Sequence, residues 1–274
     1  MEQSEFICKD HLVSGEKYRL EKLPNYDILK TSPVPEDLDR YYKSEEYISH
    51  TDSAETLTDK IYKSVKTYML QKKVGWLLKE KAEGSLLDIG AGTGDFLKAA
   101  SRYYKTEGVE PNKKARAKSL EKGKQLYADT SEILNQQFSI ISMWHVLEHV
   151  PDLENQFLEF NRLLEKDGML VIAVPNYKSK DANVYKEDWA AYDVPRHIWH
   201  FSKKGIEQLF SDNGYKLIKT EGLKFDSFYV SLLSEKHKTK KVHLIKAFWN
   251  GLSSNISALN TGEYSSMVYF FKKQ

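Results

Sequence analysis

The sequence predicts an α/β fold in which helices cover both faces of a doubly wound, mostly parallel sheet of seven strands. Short apolar runs suited to buried strands alternate along the chain with segments of helical periodicity. One run, 86–89, leads into glycines on alternate positions, Gly90, Gly92 and Gly94, and a helical segment follows at once. A strand, a glycine turn and a helix N-terminus together predict a site for a nucleotide-like ligand at the carboxyl edge of the sheet.

Composition and charge narrow the class of protein. The chain has 274 residues, of which 41% are hydrophobic and 29% charged, so it can bury a full core. Its net charge of +2 gives no reason to expect binding to nucleic acid. No apolar run reaches the roughly twenty residues of a membrane span, the first residues lack the pattern of a signal peptide, and the single cysteine excludes an internal disulfide. We therefore expect a cytoplasmic protein without a transmembrane segment, either a monomer or a homodimer.

The chain divides into two predicted regions. Residues 1–50 are polar and contain three prolines, which predicts a small N-terminal lobe. Residues 51–274 are expected to form the main domain. This domain opens with one or two helices over 53–82, because apolar residues recur there at helical spacing until Gly84 interrupts the pattern.

Strands and helices alternate after the glycine turn. Apolar runs bounded by turn residues predict six further strands, at 108–110, 126–129, 138–145, 169–176, 215–220 and 265–271. Helical spacing predicts helices over 113–122, 153–165 and 203–210. Between the last two strands, the segment 231–252 is apolar on one side and rich in lysine on the other, and we predict that it forms a helical lid.

The residues around the glycine turn distinguish two kinds of ligand. A dinucleotide site has the pattern Gly-x-Gly-x-x-Gly, whereas Asp95 occupies the position of the last glycine here. Asp88 and Asp95 add negative charge, which disfavours a pyrophosphate and suits a ligand with an amino group and a sulfonium. The stretch resembles motif I of the class I S-adenosylmethionine (SAM)-dependent methyltransferases, (D/E)-x-G-x-G-x-G. This resemblance implies a Rossmann-like sheet with an antiparallel last strand, SAM as cofactor and S-adenosylhomocysteine as product.

Glu110 is the second residue that predicts the cofactor. It lies about twenty residues beyond the glycine turn, at a strand end, where a carboxylate can accept hydrogen bonds from both ribose hydroxyls. By resemblance, Asp129 would accept a hydrogen bond from the exocyclic amine of adenine. The predicted cofactor-binding residues are Asp88, Gly90, Ala91, Gly92, Gly94, Phe96, Glu110, Pro111, Asp129, Trp144 and His145.

The segment 138–152 resembles the motif after the fourth strand in the ubiquinone-biosynthesis-type O-methyltransferases, a likeness that extends over 53–274. Some of these relatives have Glu-x-x-Glu-His there and bind a divalent ion. His145 replaces the first glutamate, so a ligand set of His145, Glu148 and His149 is an alternative, but we expect hydrogen bonding without metal. Many relatives also carry a Cys-x-x-Cys zinc element in the N-terminal lobe. The matching residues are Leu23 and Tyr26, so we predict a degenerate, metal-free lobe.

The loop 185–202 carries the residues that we expect to do the chemistry. Its sequence Asp193-x-Pro-Arg-His-x-x-His-Phe-Ser resembles a block found after the fifth strand in many bacterial relatives. Histidine suits removal of a proton from an acceptor, because its ordinary pKa lies near neutral pH. The predicted catalytic residues are His197, His200 and His149, and the predicted substrate residues are Arg196, Trp199 and Tyr192. Alternatively, Trp199 and Phe201 only clamp the loop to the core, and backbone groups satisfy its histidines.

The sequence therefore predicts methyl transfer from SAM to an unidentified acceptor, an oxygen of a small-molecule, sugar-like or lipid-linked substrate. Two alternatives remain, a SAM-binding module without turnover and an NAD-dependent oxidoreductase. The basic amphipathic segment 231–250 is expected to be a lid or a dimer contact, and peripheral contact with a membrane is the alternative.

Overall fold

The structure, a computed structural model, describes residues 6–42 and 57–274, with only the backbone described for 57–62. Over these residues the strands are β1 (Phe6–Lys9), β2 (Lys17–Lys22), β3 (Ile28–Ser32), β4 (Ser85–Ile89), β5 (Lys105–Val109), β6 (Phe138–Trp144), β7 (Leu164–Pro175), β8 (Trp199–Phe201), β9 (Tyr215–Gly222) and β10 (Ser266–Lys273). The helices are α1 (Leu57–Glu80), α2 (Asp95–Ala100), α3 (Lys113–Glu121), α4 (Leu153–Leu163), α5 (Lys180–Tyr185), α6 (Lys203–Asp212), α7 (Asp226–Thr239) and α8 (Leu244–Thr261).

The main sheet has the strand order β5-β4-β6-β7-β10-β9. Strands β4 to β7 run parallel, whereas β10 is antiparallel to both of its neighbours. The predicted α/β class and the antiparallel last strand are therefore confirmed. The carboxyl ends of β4, β5 and β6 lie along one edge, and this edge carries the glycine turn.

The prediction of seven strands is wrong by one, since the main sheet has six strands in the part of the chain that is described. The predicted strand 126–129 forms only an isolated bridge, in which Tyr127 pairs with Val109. The side chain of Asp129 accepts a hydrogen bond from Ser131 N at 2.9 Å and starts a short 3-10 turn. The chain therefore leaves the sheet edge after one paired residue.

Apolar side chains cover both faces of the main sheet, as the doubly wound arrangement requires. On one face, Trp76 and Leu77 of α1 and Phe96 of α2 pack against the sheet. On the other face, α4 and α6 contribute Phe157, Phe160 and Phe210. Every residue of β6 from Phe138 to Met143 is buried, because the strand lies between these two layers.

The N-terminal strands form a second, antiparallel sheet with the order β1-β2-β3-β8. Its last strand comes from the loop that follows β7, and Ile28 is paired there with Phe201. Leu23 and Tyr26, the positions compared with zinc ligands, pack against the main core. The predicted boundary at residue 50 lies outside the described residues, so the division into 1–50 and 51–274 stays a prediction, as does the absence of metal from the lobe.

The predicted helical lid at 231–252 is a pair of helices, α7 and α8, which together cover 226–261. Lys240 separates them, because its left-handed backbone (φ +59°) ends α7. The single predicted segment thus contains a break that its charge pattern concealed. No helix in the described ranges is both long and apolar enough to cross a membrane.

Candidate functional site

The glycine turn between β4 and α2 has the backbone geometry that favours glycine. The φ angle is +76° at Gly90, +55° at Gly92 and +75° at Gly94. A Cβ at Gly90 would lie 2.3 Å from Val146 Cγ2, and one at Gly94 would lie 2.4 Å from Ser119 Oγ. At Gly92, by contrast, no described atom lies within 4 Å of the Cβ position. The turn is therefore packed at its two ends and open at its middle glycine, as a ligand cradle requires.

Glu110 lies beside this opening, immediately after β5. Its Oε2 accepts a hydrogen bond from Gly92 N at 2.8 Å, and its Oε1 accepts one from Asn112 N at 2.8 Å. These bonds fix the carboxylate and leave each oxygen a further lone pair for a ligand hydroxyl. Pro111 and Asp129 are exposed along the same sheet edge, with the Asp129 carboxylate capping the turn at Ser131.

The two acidic residues that flank the glycine turn have surroundings that the sequence did not predict. Asp88 is buried beneath the turn, where its Oδ1 accepts a hydrogen bond from Ser142 Oγ at 2.6 Å. Burial raises the pKa of Asp88 to about 7, against the opposing effects of Ser142 and Lys73. Asp95 pairs with Lys66 of α1 and with Lys122, each at 2.7 Å. Our assignment of the Asp95 charge to the ligand is thus wrong, because two lysines already neutralise it.

Lys73, a residue that our sequence analysis missed, lies close to the same edge. Its Nζ is 4.3 Å from the centre of the Trp144 ring, and Trp144 packs edge-on against Phe96. Burial lowers the pKa of Lys73, while the charges of Asp226 and Asp88 oppose that shift. The buried Nε1 of Trp144 has no hydrogen-bond partner among the described residues. A half-buried ammonium and an unpartnered indole N–H both suit a ligand with polar groups.

His145 occupies the end of β6, in a left-handed conformation with φ +58°. Its Nε2 lies 3.0 Å from Asp226 Oδ2, and its Nδ1 lies 3.3 Å from Glu148 Oε1. Burial alone would lower the pKa of His145, but the hydrogen bond to Asp226 and the negative charge of Glu148 outweigh the effect of burial and raise the pKa to about 9. His145 is therefore a cation at neutral pH and joins β6 to α7. Asp226 is a second residue that the sequence analysis missed.

Glu148, His149 and His197 form a compact cluster beside His145. One possible ligand atom from each of them lies within 4.8 Å of the others. The Nδ1 of His149 lies 3.0 Å from the carbonyl of Arg196, and the Nδ1 of His197 lies 2.8 Å from that of Ala191. Because a carbonyl only accepts, each Nδ1 carries the proton and each Nε2 keeps its lone pair.

The chemistry of this cluster depends on the buried Glu148. Its side chain is 1% exposed, and neither of its oxygens has a well-formed hydrogen bond in the described part of the chain. Burial is the largest effect on His149 and lowers its pKa to about 4, so His149 is neutral at pH 7. A carboxylate and two imidazole lone pairs can accept a proton from a substrate, and the same three donors could also hold a divalent cation.

The predicted substrate residues are buried and occupied by contacts within the protein. Arg196 is 1% exposed and pairs with Asp193 at 2.6 Å and Asp10 at 3.1 Å. Trp199 donates from Nε1 to the carbonyl of Val150 at 2.8 Å. Tyr192 packs between neighbouring aromatic rings and is 5% exposed. These positions correct the predicted substrate contacts, because none of the three side chains is available to a ligand in this arrangement.

His200, one of the three predicted catalytic histidines, is also a buried structural residue. It is 4% exposed, and its Nε2 lies 2.9 Å from Thr31 Oγ1. The Thr31 hydroxyl donates its proton to the carbonyl of His197 at 2.7 Å, so His200 must be the donor to Thr31. Burial lowers the pKa of His200 well below its ordinary value. For Trp199, the alternative in which the loop is clamped to the core describes the contacts better, whereas His200 is satisfied by the Thr31 side chain and not by backbone.

Comparison with known proteins places the chain in a family. The family model described as a methyltransferase domain matches residues 63–220, more than half of the chain. No curated protein matches the sequence.

Among solved structures, one similar protein is a magnesium protoporphyrin IX methyltransferase from Synechocystis PCC 6803 with bound S-adenosylhomocysteine. It aligns with a TM-score of 0.54 and 14% sequence identity, and the alignment covers 85% of this chain and 97% of that one. A SAM-dependent methyltransferase from Thermotoga maritima aligns with a TM-score of 0.50 and 18% sequence identity, and the alignment covers 78% of this chain and 96% of that one. A cyclopropane synthase from Mycobacterium tuberculosis aligns with a TM-score of 0.50 and 14% sequence identity, and the alignment covers 74% of this chain and 83% of that one. These likenesses show the fold.

Proposed function

The chain belongs to the methyltransferase domain family, a family of class I SAM-dependent methyltransferases, and we propose that it methylates an oxygen atom of a small-molecule or sugar-like acceptor. Membership of this family removes the alternative of an NAD-dependent oxidoreductase. The observation that carries the choice of acceptor is the cluster of Glu148, His149 and His197, whose free nitrogen and carboxylate atoms can accept a proton.

The residues around the glycine turn fit SAM. The open space at Gly92 would receive the nucleoside, and Glu110 would accept hydrogen bonds from its ribose hydroxyls. Lys73 would pair with the carboxylate of the methionine part, opposite Asp226 and Asp88. When bound, SAM supplies an electrophilic methyl group on a sulfonium.

Proton removal from the acceptor is the step that this chain's own residues perform. A hydroxyl is a weak nucleophile until it loses its proton, whereas a neutral amine can react without a base. His197 Nε2 is the acceptor of that proton in our proposal. Glu148 and Asp193, with Asp193 Oδ2 4.0 Å from His197 Nε2, would stabilise the imidazolium that results.

Calorimetric titration with S-adenosylhomocysteine tests the cofactor site. We expect the wild-type protein to bind it, and Glu110→Ala and Lys73→Met each to weaken binding by about 10- to 100-fold, because each removes a charged hydrogen-bonding group. Glu121→Ala, an exposed glutamate at the end of α3, is the matched control and should bind like the wild type. Wild-type affinity in Glu110→Ala would remove the ribose assignment.

The remaining alternative is a SAM-binding module without turnover. It makes the same prediction for the titration and differs only in catalysis. Incubation with labelled SAM and a panel of hydroxyl-bearing small molecules and sugars separates the two, because the module transfers no label to any of them.

A further inference from the structure

Helix α8 buries its small residues and exposes its large apolar ones, which is the reverse of an ordinary amphipathic helix in a soluble domain. The residues that face the protein are small, Ala247, Gly251, Ser254 and Ala258. Contact there is close, since a Cβ at Gly251 would lie 2.9 Å from Phe228 Cα of α7. A helix of a soluble domain ordinarily buries its large apolar residues and exposes its polar ones. The large apolar residues of α8 must therefore have another partner.

Those large residues form a continuous exposed stripe along α8. Ile245 is 77% exposed, Trp249 is 61% exposed and Leu259 is 66% exposed. The further exposed members of the stripe are Leu244, Phe248 and Ile256, and Val242 is exposed just before the helix. Beside the stripe, Trp249, Leu252, Ile256 and Lys180 line a groove of about 380 Å³. An apolar surface of this extent on one helix marks an interaction site.

The charge next to the stripe has one sign. From 236 to 262 the sequence contains five lysines and no aspartate or glutamate. Lys238, Lys240 and Lys241 are exposed at the end of α7 and in the link to α8, adjacent to the N-terminal end of the stripe. Lys246 pairs with Glu235 at 3.1 Å, so its charge is partly neutralised.

We propose that the exposed face of α8 docks on an anionic lipid bilayer. Large aliphatic and aromatic residues on one face, with lysines at its border, are what a helix lying in a membrane interface needs. A second copy of this chain fits the same face less well, because its own 236–262 segment contains no carboxylate to meet these lysines. The inference is independent of the identity of the acceptor.

Docking at α8 would hold the active site close to the bilayer. Ser227 Oγ donates to the carbonyl of Gly251 at 3.1 Å, so the first turn of α7 is fixed to the middle of α8. The preceding residue is Asp226, which binds His145. The helix that carries Asp226, the partner of His145, therefore packs directly on the docking helix.

Vesicle sedimentation with the full-length protein tests the proposal. We expect binding to vesicles of phosphatidylcholine and phosphatidylglycerol, and at least about tenfold weaker binding to pure phosphatidylcholine. The double variant Ile245→Ser, Trp249→Ser should bind the anionic vesicles at least about tenfold more weakly than the wild type. Leu158→Ser removes a leucine of α4 with 66% exposure and should bind like the wild type.

Two outcomes would overturn the proposal. One is equal binding by the wild type and the double variant, or no binding by either, with circular dichroism showing both folded. The other is a homodimer in light scattering that the double variant converts to a monomer, since a second copy would then cover the stripe. A monomeric wild type that binds anionic vesicles through the stripe supports it.

Discussion

The histidines near the carboxyl end of β6 differ in their ability to accept a proton. His145 is already protonated at neutral pH, because its pKa is raised to about 9. His149 has a pKa of about 4, and burial removes His200 from the reaction. His197 is held by the carbonyl of Ala191 through Nδ1 and lies in one cluster with Glu148. His197 is the remaining histidine of the cluster, and it is the base that we propose.

Replacement of this residue gives a prediction for catalysis. We expect His197→Ala to lower the rate of methyl transfer by about 10²- to 10⁴-fold, the usual contribution of a general base, with SAM affinity near that of the wild type. Single-turnover transfer of labelled methyl to an acceptor identified by screening measures the rate. His243→Ala, an exposed histidine in the link before α8, is the control. Wild-type turnover in His197→Ala would exclude the residue as the base.

Sequence reasoning at this scale depended on fixed spacing. Glu110 was predictable because a strand end about twenty residues after the glycine turn defines its place, and the structure puts its carboxylate against Gly92. Asp226 was not predictable, because no spacing relates it to the loop after β6. Lys73 did leave a signal, since it interrupts the apolar stripe of α1 between Met69 and Trp76. A cation in a buried stripe needs partners, and that is how it could have been found.

At the scale of elements, two helical glycines illustrate how contacts decide the effect of a substitution. A Cβ at Gly205, in the first turn of α6, would lie 2.3 Å from the carbonyl oxygen of Asp27. At Gly75, inside α1, nothing described lies within 4 Å of the same position. The first glycine allows α6 to pack on the backbone before β3, whereas the second only weakens its helix.

The two alanine variants should therefore move stability in opposite directions. We expect Gly205→Ala to lower the free energy of unfolding by about 1–3 kcal/mol through overpacking, and Gly75→Ala to raise it by about 0.5–1 kcal/mol through helix propensity. Urea denaturation of both variants beside the wild type measures the difference. Equal stability of Gly205→Ala and the wild type would contradict the close packing of α6 on Asp27.

The pair of His145 and Asp226 links β6 to α7, and it predicts how stability depends on pH. The pKa of His145 rises from 6.5 to about 9 on folding, so its contribution is complete below pH 6.5 and is lost as the pH rises through 9. The hydrogen bond to His145 lowers the pKa of Asp226 despite burial. Asp226 therefore becomes protonated, and its contribution to stability is lost, only in acid.

Urea denaturation at pH values between about 6 and 10 tests this link. The free energy of unfolding of the wild type should fall on the alkaline side, and His145→Gln should be less stable at neutral pH and show a smaller fall. Because both proteins share every other titrating group, the difference between the two curves isolates His145. Parallel curves would show that the link contributes nothing to stability.

Helices and strands that carry their own apolar periodicity could be predicted from the sequence. A strand that is defined only by pairing with a distant part of the chain could not. The main strands and the helices after the glycine turn follow from apolar periodicity, and their alternation gave the doubly wound sheet. Strand β8 has three residues and is paired with β3, about 170 positions earlier, so no local pattern reveals it. The break at Lys240 was hidden for a related reason, since a left-handed residue other than glycine carries no clear signature.

At the scale of the whole molecule, the N-terminal segment and the loop after β7 form one structure. Strand β8 completes the N-terminal sheet, and Arg196 of the same loop reaches Asp10 after β1. Asp10 in turn accepts hydrogen bonds from Leu12 N and Ser14 N, so it holds its own turn as well as the guanidinium. The loop that carries His197 is thus positioned by the N-terminal segment.

This connection predicts that the described regions unfold together. Asp10→Asn keeps the shape of the side chain and removes the charge that faces Arg196, which retains Asp193. We expect a loss of about 1.5–3 kcal/mol, the value of a buried hydrogen bond to a charged group. Differential scanning calorimetry should show one transition at a lower temperature, and Asp37→Asn, an exposed residue of the same segment, should leave it in place. Two transitions, of which Asp10→Asn shifts only one, would mean that the N-terminal sheet unfolds independently of the methyltransferase fold.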